Sequence, residues 1–455
     1  MLNRSMLMVS LVFMICVITS VAEENSAKNW YNQGLSLYNQ GKYDDAIDCF
    51  DDALRIDPEY TNAWYYKGVS LYNQGKYDDA IDCFDDVLQI NPEYANAWYY
   101  KGVSFKKEGR HDEAADCYDR VIKIYDNALQ ANPEDAGAWY NKGYALYRQG
   151  KYDEAIGCFD NVLQLNSEYV NAWYYKGIVY RSLGNYDDAI DCFDGALMIK
   201  PDHISSWYYK GDALQKHGKY DDAIDCYDRV IQIRDDYLQV NPEYANAWYN
   251  KGVALYNQGK YDDAIDCFDK AIQINSEYAN AWYYKGVVYK RLGEYDEAVN
   301  CFDKALMINP DSTSAWYNKG NTFYNQGKYD DAIDCYDNAL MINPDYTSAW
   351  YNKGDALQKL GEYDEATECY DKVLMIYDSA LQINSEDVTA WYNKGNALKK
   401  QGKYDEAVDC YDNALRINPE YAKAWYEKGL AHRVLGDDAD ANYCFDNAEQ
   451  LGFNV

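Results

Sequence analysis

The sequence predicts an all-α protein of twelve stacked antiparallel helix pairs, and three observations carry that prediction. All 12 Trp fall in one register, at 30, 64, 98, 139, 173, 207, 248, 282, 316, 350, 391 and 425, so neighbours are 34 or 41 residues apart. A fixed period of that length marks a repeat architecture. Within each copy two apolar stripes recur at helical spacing, Trp64, Gly68 and Leu71, then Tyr77, Ala80, Phe84 and Val87. Gly75 stands between the stripes, and all 8 Pro follow a second stripe, where a helix has to stop.

From the N-terminus, Arg4 precedes an apolar run from Met6 to Val17 that shades into Ile18-Thr19-Ser20-Val21-Ala22. Residues 1–22 read as a signal peptide, with small Ser20 and Ala22 before a cut ahead of Glu23. The other reading is an uncleaved anchor over 6–22, at the short limit for spanning the hydrocarbon. Both place the remainder outside the cytoplasmic membrane, because positive charge precedes the run and Glu23-Glu24 follows it. A lipid-anchored Cys16 is disfavoured, since Phe13-Met14-Ile15 lacks the small residues such processing sites need. Residues 23–26 form a short linker to the array.

The repeats run over 27–60, 61–94, 95–135, 136–169, 170–203, 204–244, 245–278, 279–312, 313–346, 347–387, 388–421 and 422–455. Positions are counted here from each Trp. Gly75 is the natural left-handed exit of a first helix, and Asp78-Asp79 complements the dipole at the start of a second. Gly68 and Ala80 are small where two backbones approach.

The pattern A-W-Y-Y-K-G…Y-N-Q-G-K-Y-D-D-A-I-D-C-F…N-P resembles the tetratricopeptide repeat family over residues 27–455. The resemblance implies an α-solenoid superhelix, with first helices on the concave face and second helices on the convex one, working as a protein-binding scaffold. A helix pair cannot bury its apolar face alone, so neighbours must stack and terminal repeats need polar outer faces. The last repeat has Asn442 and Glu449 where others have residues such as Ile333 and Leu340.

Repeats 95–135, 204–244 and 347–387 carry seven extra residues in the second helix. Seven residues return to almost the same face and add about 10 Å. Either this is neutral length variation, or the longer helices form ledges that divide the array.

Several function classes are excluded or weakened. A net charge of −32 opposes binding to nucleic-acid phosphates. Hydrophobic content of 48% rules out a disordered acidic chain. The twelve Cys at Trp+19, Cys49 to Cys444, show no C-x-x-C, and stacked equivalents should lie too far apart for disulfides or a shared zinc. They read as small apolar core residues. His111, His203, His217 and His432 occupy non-equivalent positions and offer no nucleophile–base pair. No catalytic residue, cofactor or metal site is expected. Acidic runs such as Asp44-Asp45 and Asp51-Asp52 read as a solvated face.

The candidate partner-binding residues follow from the resemblance, which puts Trp+1, +5, +8 and +9 in the groove. Position +1 is always Tyr and includes Tyr65, Tyr99, Tyr140, Tyr174, Tyr208, Tyr249, Tyr283, Tyr317, Tyr351 and Tyr392. Such tyrosines give contact area at low entropic cost, or else they pack between helices. Basic candidates at +8 and +9 are Lys106, Lys107, Arg148, Arg181, Lys216, Lys290, Arg291, Lys359, Lys399 and Lys400. Position +5 varies, with Asp212, Asn321 and Asp355, as a ligand-reading position would. The carboxylate clamp of chaperone-tail-binding members is absent, because Tyr31 and its equivalents fill the place of the clamp Lys.

The expected function is a non-catalytic scaffold whose groove holds an extended, acidic segment of a partner protein outside the membrane. The alternatives are a self-assembling cell-surface protein or a glycan binder. Nucleic acid is not an expected partner, and the membrane is one only through the N-terminal segment.

Overall fold

The computed structural model describes residues 26–237 and 242–453, without the side chains of 234–243. The segment read above as signal peptide or anchor lies outside the described residues. Among those described, no helix is long and apolar enough to cross a membrane. Twenty-four helices account for the architecture, all of it α.

The chain divides into two compact blocks, with the boundary in sequence between Gly218 and Lys219. The first holds α1 (Ala27–Asn39), α2 (Tyr43–Ile56), α3 (Thr61–Asn73), α4 (Tyr77–Ile90), α5 (Ala95–Lys107), α6 (His111–Ala131), α7 (Ala136–Gln149), α8 (Tyr152–Leu165), α9 (Val170–Leu183), α10 (Tyr186–Ile199) and α11 (Ile204–Lys216). The second holds α12 (Tyr220–Tyr237), α13 (Pro242–Asn257), α14 (Tyr261–Ile274), α15 (Ala279–Leu292), α16 (Tyr295–Ile308), α17 (Thr313–Asn325), α18 (Tyr329–Ile342), α19 (Thr347–Leu360), α20 (Tyr363–Ile383), α21 (Val388–Lys400), α22 (Tyr404–Ile417), α23 (Ala422–Leu435) and α24 (Asp438–Gln450). Within each block every helix packs on its neighbours in sequence, giving an α-solenoid.

Local chemistry explains each hairpin. The first helix α3 stops at Gly75, whose φ of +78° suits a residue without Cβ. The second helix α4 opens with Asp78 and Asp79 in its first turn. It ends at Asn91, whose side chain accepts the Glu93 N–H at 3.1 Å, while the Pro92 carbonyl accepts the Trp98 indole N–H at 2.9 Å. That indole bond recurs from Trp64 and Trp139 to Trp350 and Trp425, so these tryptophans staple the turn before them. Lysine at Trp+3 lies over the same ring and pairs back to the preceding repeat, as Lys67 does with Asp51 at 2.7 Å. Between the helices Phe84 is fully buried, and a Cβ at Gly68 would lie 2.7 Å from its ring. The cysteines fill the same layer: Cys83 is 4% exposed, and burial pushes its thiol up to about 12.

The three insertions are not equivalent. In uninserted repeats the glutamine at Trp+10 donates to the aspartate at +14 of the preceding repeat, as Gln74 does to Asp44 at 2.8 Å. Helices α6 and α20 reach 21 residues, and after them the partner moves seven residues on: Gln149 donates to Asp119 and Gln401 to Asp371. Two added turns therefore carry the next hairpin along the helix axis by about 10 Å. After α12 no shift occurs, since Gln258 still donates to Asp221 and Lys251 still pairs with Asp228. The ledge geometry is thus realised at α6 and α20. The sequences already differ there, with Tyr125 and Tyr377 at Trp+27 but Arg234 in the remaining inserted repeat.

Candidate partner-binding face

The first helices touch one another in succession, α1 with α3 and α3 with α5 in the first block, α13 with α15, α17 and α19 in turn in the second. They present Trp+1, +5, +8 and +9 along one continuous face per block.

The tyrosines at Trp+1 are built into that face rather than projecting from it. Most lie against the ring at Trp+20 of their own repeat: Tyr65 with Phe84, Tyr99 with Tyr118, Tyr140 with Phe159, Tyr174 with Phe193, Tyr283 with Phe302, Tyr317 with Tyr336 and Tyr392 with Tyr411, centroids 5.9–6.3 Å apart. Tyr249 meets Phe268 at 6.1 Å, Tyr351 meets Tyr370 at 5.7 Å, and Tyr208 meets Tyr209 edge-on at 5.1 Å. Tyr65 is only 9% exposed and the others half-buried, so burial raises the hydroxyl pKa of Tyr65, Tyr99 and Tyr140. Of the two roles the sequence left open, packing is the one the geometry displays, with ring edges reaching the surface.

Position +5 has an internal explanation that sequence reading missed. Asn321 accepts the Tyr336 hydroxyl at 2.8 Å, Asp355 accepts Tyr370 at 2.6 Å and Asn396 accepts Tyr411 at 2.9 Å. A buried hydroxyl without a partner is costly, so in these repeats a polar +5 accompanies Tyr at +20; the exception is Tyr118, whose repeat has Val103 at +5. Where +20 is Phe, as at Phe84 and Phe268, +5 is Val69 and Val253. Asp212 belongs to a repeat with Tyr227 at +20 and follows the same rule. The variability seen at +5 therefore tracks the core.

The basic candidates divide by surroundings. Arg181 pairs with Asp212 at 2.6 Å, Lys400 with Asp355 at 2.9 Å and Lys399 with Glu427. Lys290 donates to Asn318, and burial lowers its pKa. Arg148 lies over the Tyr99 ring at 5.8 Å, a consequence of the shift after α6, which puts Trp+9 where Trp+2 otherwise stands. Lys106, Lys107, Lys216 and Arg291 are exposed, although Lys106 also reaches the Arg148 carbonyl at 3.1 Å and Lys216 approaches Asp212 at 3.5 Å. With Lys359 at Trp+9 and Arg433 at Trp+8, also exposed, they are cations the face offers to solvent.

Among the cavities on the face, two occupy equivalent places, one in each block; another, lined by Lys290, Asn321, Tyr324, Asn325, Asn352 and Asp355, is charged. The first, about 350 Å³, is lined by Tyr65, Ala95, Asn96, Tyr99, Tyr100, Val121, Tyr125, Tyr140, Asn141, Tyr144 and Tyr175. The second, about 250 Å³, is lined by Tyr317, Thr347, Ser348, Tyr351, Asn352, Val373, Tyr377, Asn393 and Asn396. Every residue of the second has a counterpart at the same Trp offset in the first. Each of these two is floored by the added turns of α6 or α20. Among the described residues no cluster of His, Cys, Asp and Glu could hold a metal ion.

A tandem array of helix hairpins, each block with a side-chain-rich face of first helices, is the build of a protein-interaction scaffold. Tetratricopeptide repeat family profiles match residues 31–93, 67–127, 122–160 and 140–204, then 204–237, 245–278, 279–312, 313–346, 347–379 and 388–421. The chain belongs to the tetratricopeptide repeat family. No curated protein matches it. Among solved structures it is similar to the MamA protein, at 25% identity over 40% of this chain and 96% of that one, with a TM-score of 0.35. It is also similar to yeast Tom70, at 16% identity over 93% and 92% of the two chains, with a TM-score of 0.46.

Proposed function

We propose that the chain is a non-catalytic scaffold whose first-helix face holds an extended, acidic segment of a partner protein outside the cytoplasmic membrane. The observation that carries this reading is the placement of charge. In a chain of net charge −32, the exposed Lys106, Lys107, Lys216 and Arg291 stand on the first-helix face, whereas Asp78, Asp79 and their equivalents crowd the second helices. An acidic segment is repelled by one side and attracted by the other. Export rests on the signal-like residues 1–22.

The test is capture from cell-surface and culture extracts with residues 23–455, beside a variant carrying Lys106→Ser, Lys107→Ser, Lys216→Ser and Arg291→Ser, across a salt series. The reading expects a protein retained by the first bait, lost from the second and released as salt screens the pairs. Equal capture by both baits moves the site to another face. Capture of this chain alone points instead to self-assembly.

A further inference from the structure

In uninserted repeats the tyrosine at Trp+1 is covered by a ring from the turn at the end of its own repeat. Tyr31, Tyr65, Tyr140, Tyr249, Tyr317 and Tyr392 each meet the tyrosine at Trp+30, centroids 5.0–5.3 Å apart, and Tyr174 meets His203 at 5.4 Å. Repeat 279–312 has Ser312 there, and Asn318 donates to the Tyr283 hydroxyl at 3.0 Å. The insertions of α6 and α20 put Ala128 and Ala380 at Trp+30, inside the lengthened helix, and the displaced turns carry Asp135 and Asp387, which cap α7 and α21. Tyr99 and Tyr351 thus lose the ring their own repeat would supply; Tyr144 at 5.5 Å and Arg148 at 5.8 Å lie against Tyr99, Lys400 lies over Tyr351 at 5.5 Å, and the two cavities stand beside the space the lost ring would fill. The first helices also pack less closely there, α5 on α7 and α19 on α21, than other consecutive first helices do within each block.

We propose that each cavity receives an aromatic side chain of the bound partner, laid against Tyr99 in one block and Tyr351 in the other. The inference deepens the scaffold reading and rests on it. Three observations set the chemistry of the occupant. No residue lining either cavity is charged, in a chain with 118 charged side chains besides histidine, so an ion is not what they select. The array itself shows that Trp+1 tyrosines accept a ring at about 5 Å, within the range of favourable aromatic pairs. Asn141 and Tyr125, like Asn393 and Tyr377, add amides and hydroxyls to the lining, which suits a ring with a polar handle such as tyrosine. Loss of the intramolecular ring and gain of a rigid, tyrosine-walled cavity come from one event, the seven-residue shift.

The test titrates the full chain with N-acetyl-tyrosinamide, N-acetyl-leucinamide and chitotriose. The inference expects two equivalents of the tyrosine amide and at least tenfold weaker binding of the leucine amide. Ala95→Trp fills the first cavity and removes one equivalent, and Thr347→Trp removes the other, with unfolding midpoints unchanged; Tyr125→Phe, which keeps the ring, binds within threefold of the parent. If a tryptophan variant fails to fold, Asn141→Ala and Asn393→Ala read the same loss. Equal binding of the leucine amide, indifference to all cavity variants, or chitotriose displacing the amide would each overturn the proposal, the last in favour of a glycan site. Salt-released capture of a protein with no tyrosine-amide binding sinks this inference and leaves the scaffold reading standing. Amide binding that the captured partner does not compete with breaks the link between the two.

Discussion

At the scale of the residue, the core of this array is a set of matched pairs. Tyr411 is fully buried and its hydroxyl donates to Asn396, whereas Phe84 needs no acceptor and faces Val69. Asn396→Val alone is expected to cost about 1–3 kcal/mol, the usual penalty for orphaning a buried polar group. Adding Tyr411→Phe should restore most of it, and denaturant titration of the three variants forms the double-mutant cycle that decides. Buried thiols make a second prediction. Burial pushes Cys117 up to about 11 and Cys83 up to about 12, above the ordinary thiol value near 8.5. A folded pKa raised above the unfolded one gives stability that is complete below the ordinary value and is lost as pH rises through the folded value. Denaturation midpoints should therefore be flat to about pH 8 and fall between pH 9 and 12; a flat profile over that whole range would refute it.

At the scale of the element, two glycines per repeat do different work. Gly75 supplies a positive φ, while Gly68 supplies room for Phe84. Gly68→Ala gains up to about 1 kcal/mol of helix propensity. It also forces a methyl to 2.7 Å from a fully buried ring, and overpacking costs about 1–3 kcal/mol. The clash should win, lowering the thermal midpoint. Helices were legible because Trp, Gly, Ala and Phe recur at offsets that leave no other periodicity. The insertions were half legible: a seven-residue addition preserves the apolar stripe, but sequence could not say that α6 and α20 shift the next hairpin and that α12 does not. That outcome depends on which aspartate Lys142 and Lys251 find, Asp126 at Trp+28 or Asp228 at Trp+21.

The candidate site was less legible than the fold for the same physical reason. A tyrosine at a fixed offset looks alike whether it greets a ligand or packs on Phe84, and a basic residue at Trp+8 or Trp+9 looks free until Glu427 or Asp355 is found beside it. A signal for +5 was present, since Asn321, Asp355 and Asn396 accompany Tyr at +20, but it becomes meaningful only when the two positions are seen to touch.

At the scale of the whole molecule, repeat 422–455 presents a polar outer face. Asn442 and Glu449 are exposed where inner repeats place apolar residues such as Leu340 against the next hairpin. Asn442→Ile with Glu449→Leu should leave an apolar end and produce concentration-dependent association in sedimentation, absent from the parent chain. The account's central claim is that a partner lies on the first-helix face. Its most direct test places a photo-crosslinking residue singly at Lys107, Asn257 and Asn325, and in parallel at Asp79, Asp263 and Asp331 of the second helices, all exposed. The account predicts cross-links to the captured partner from the first three positions and none from the other three. Cross-links confined to the second-helix positions would contradict it.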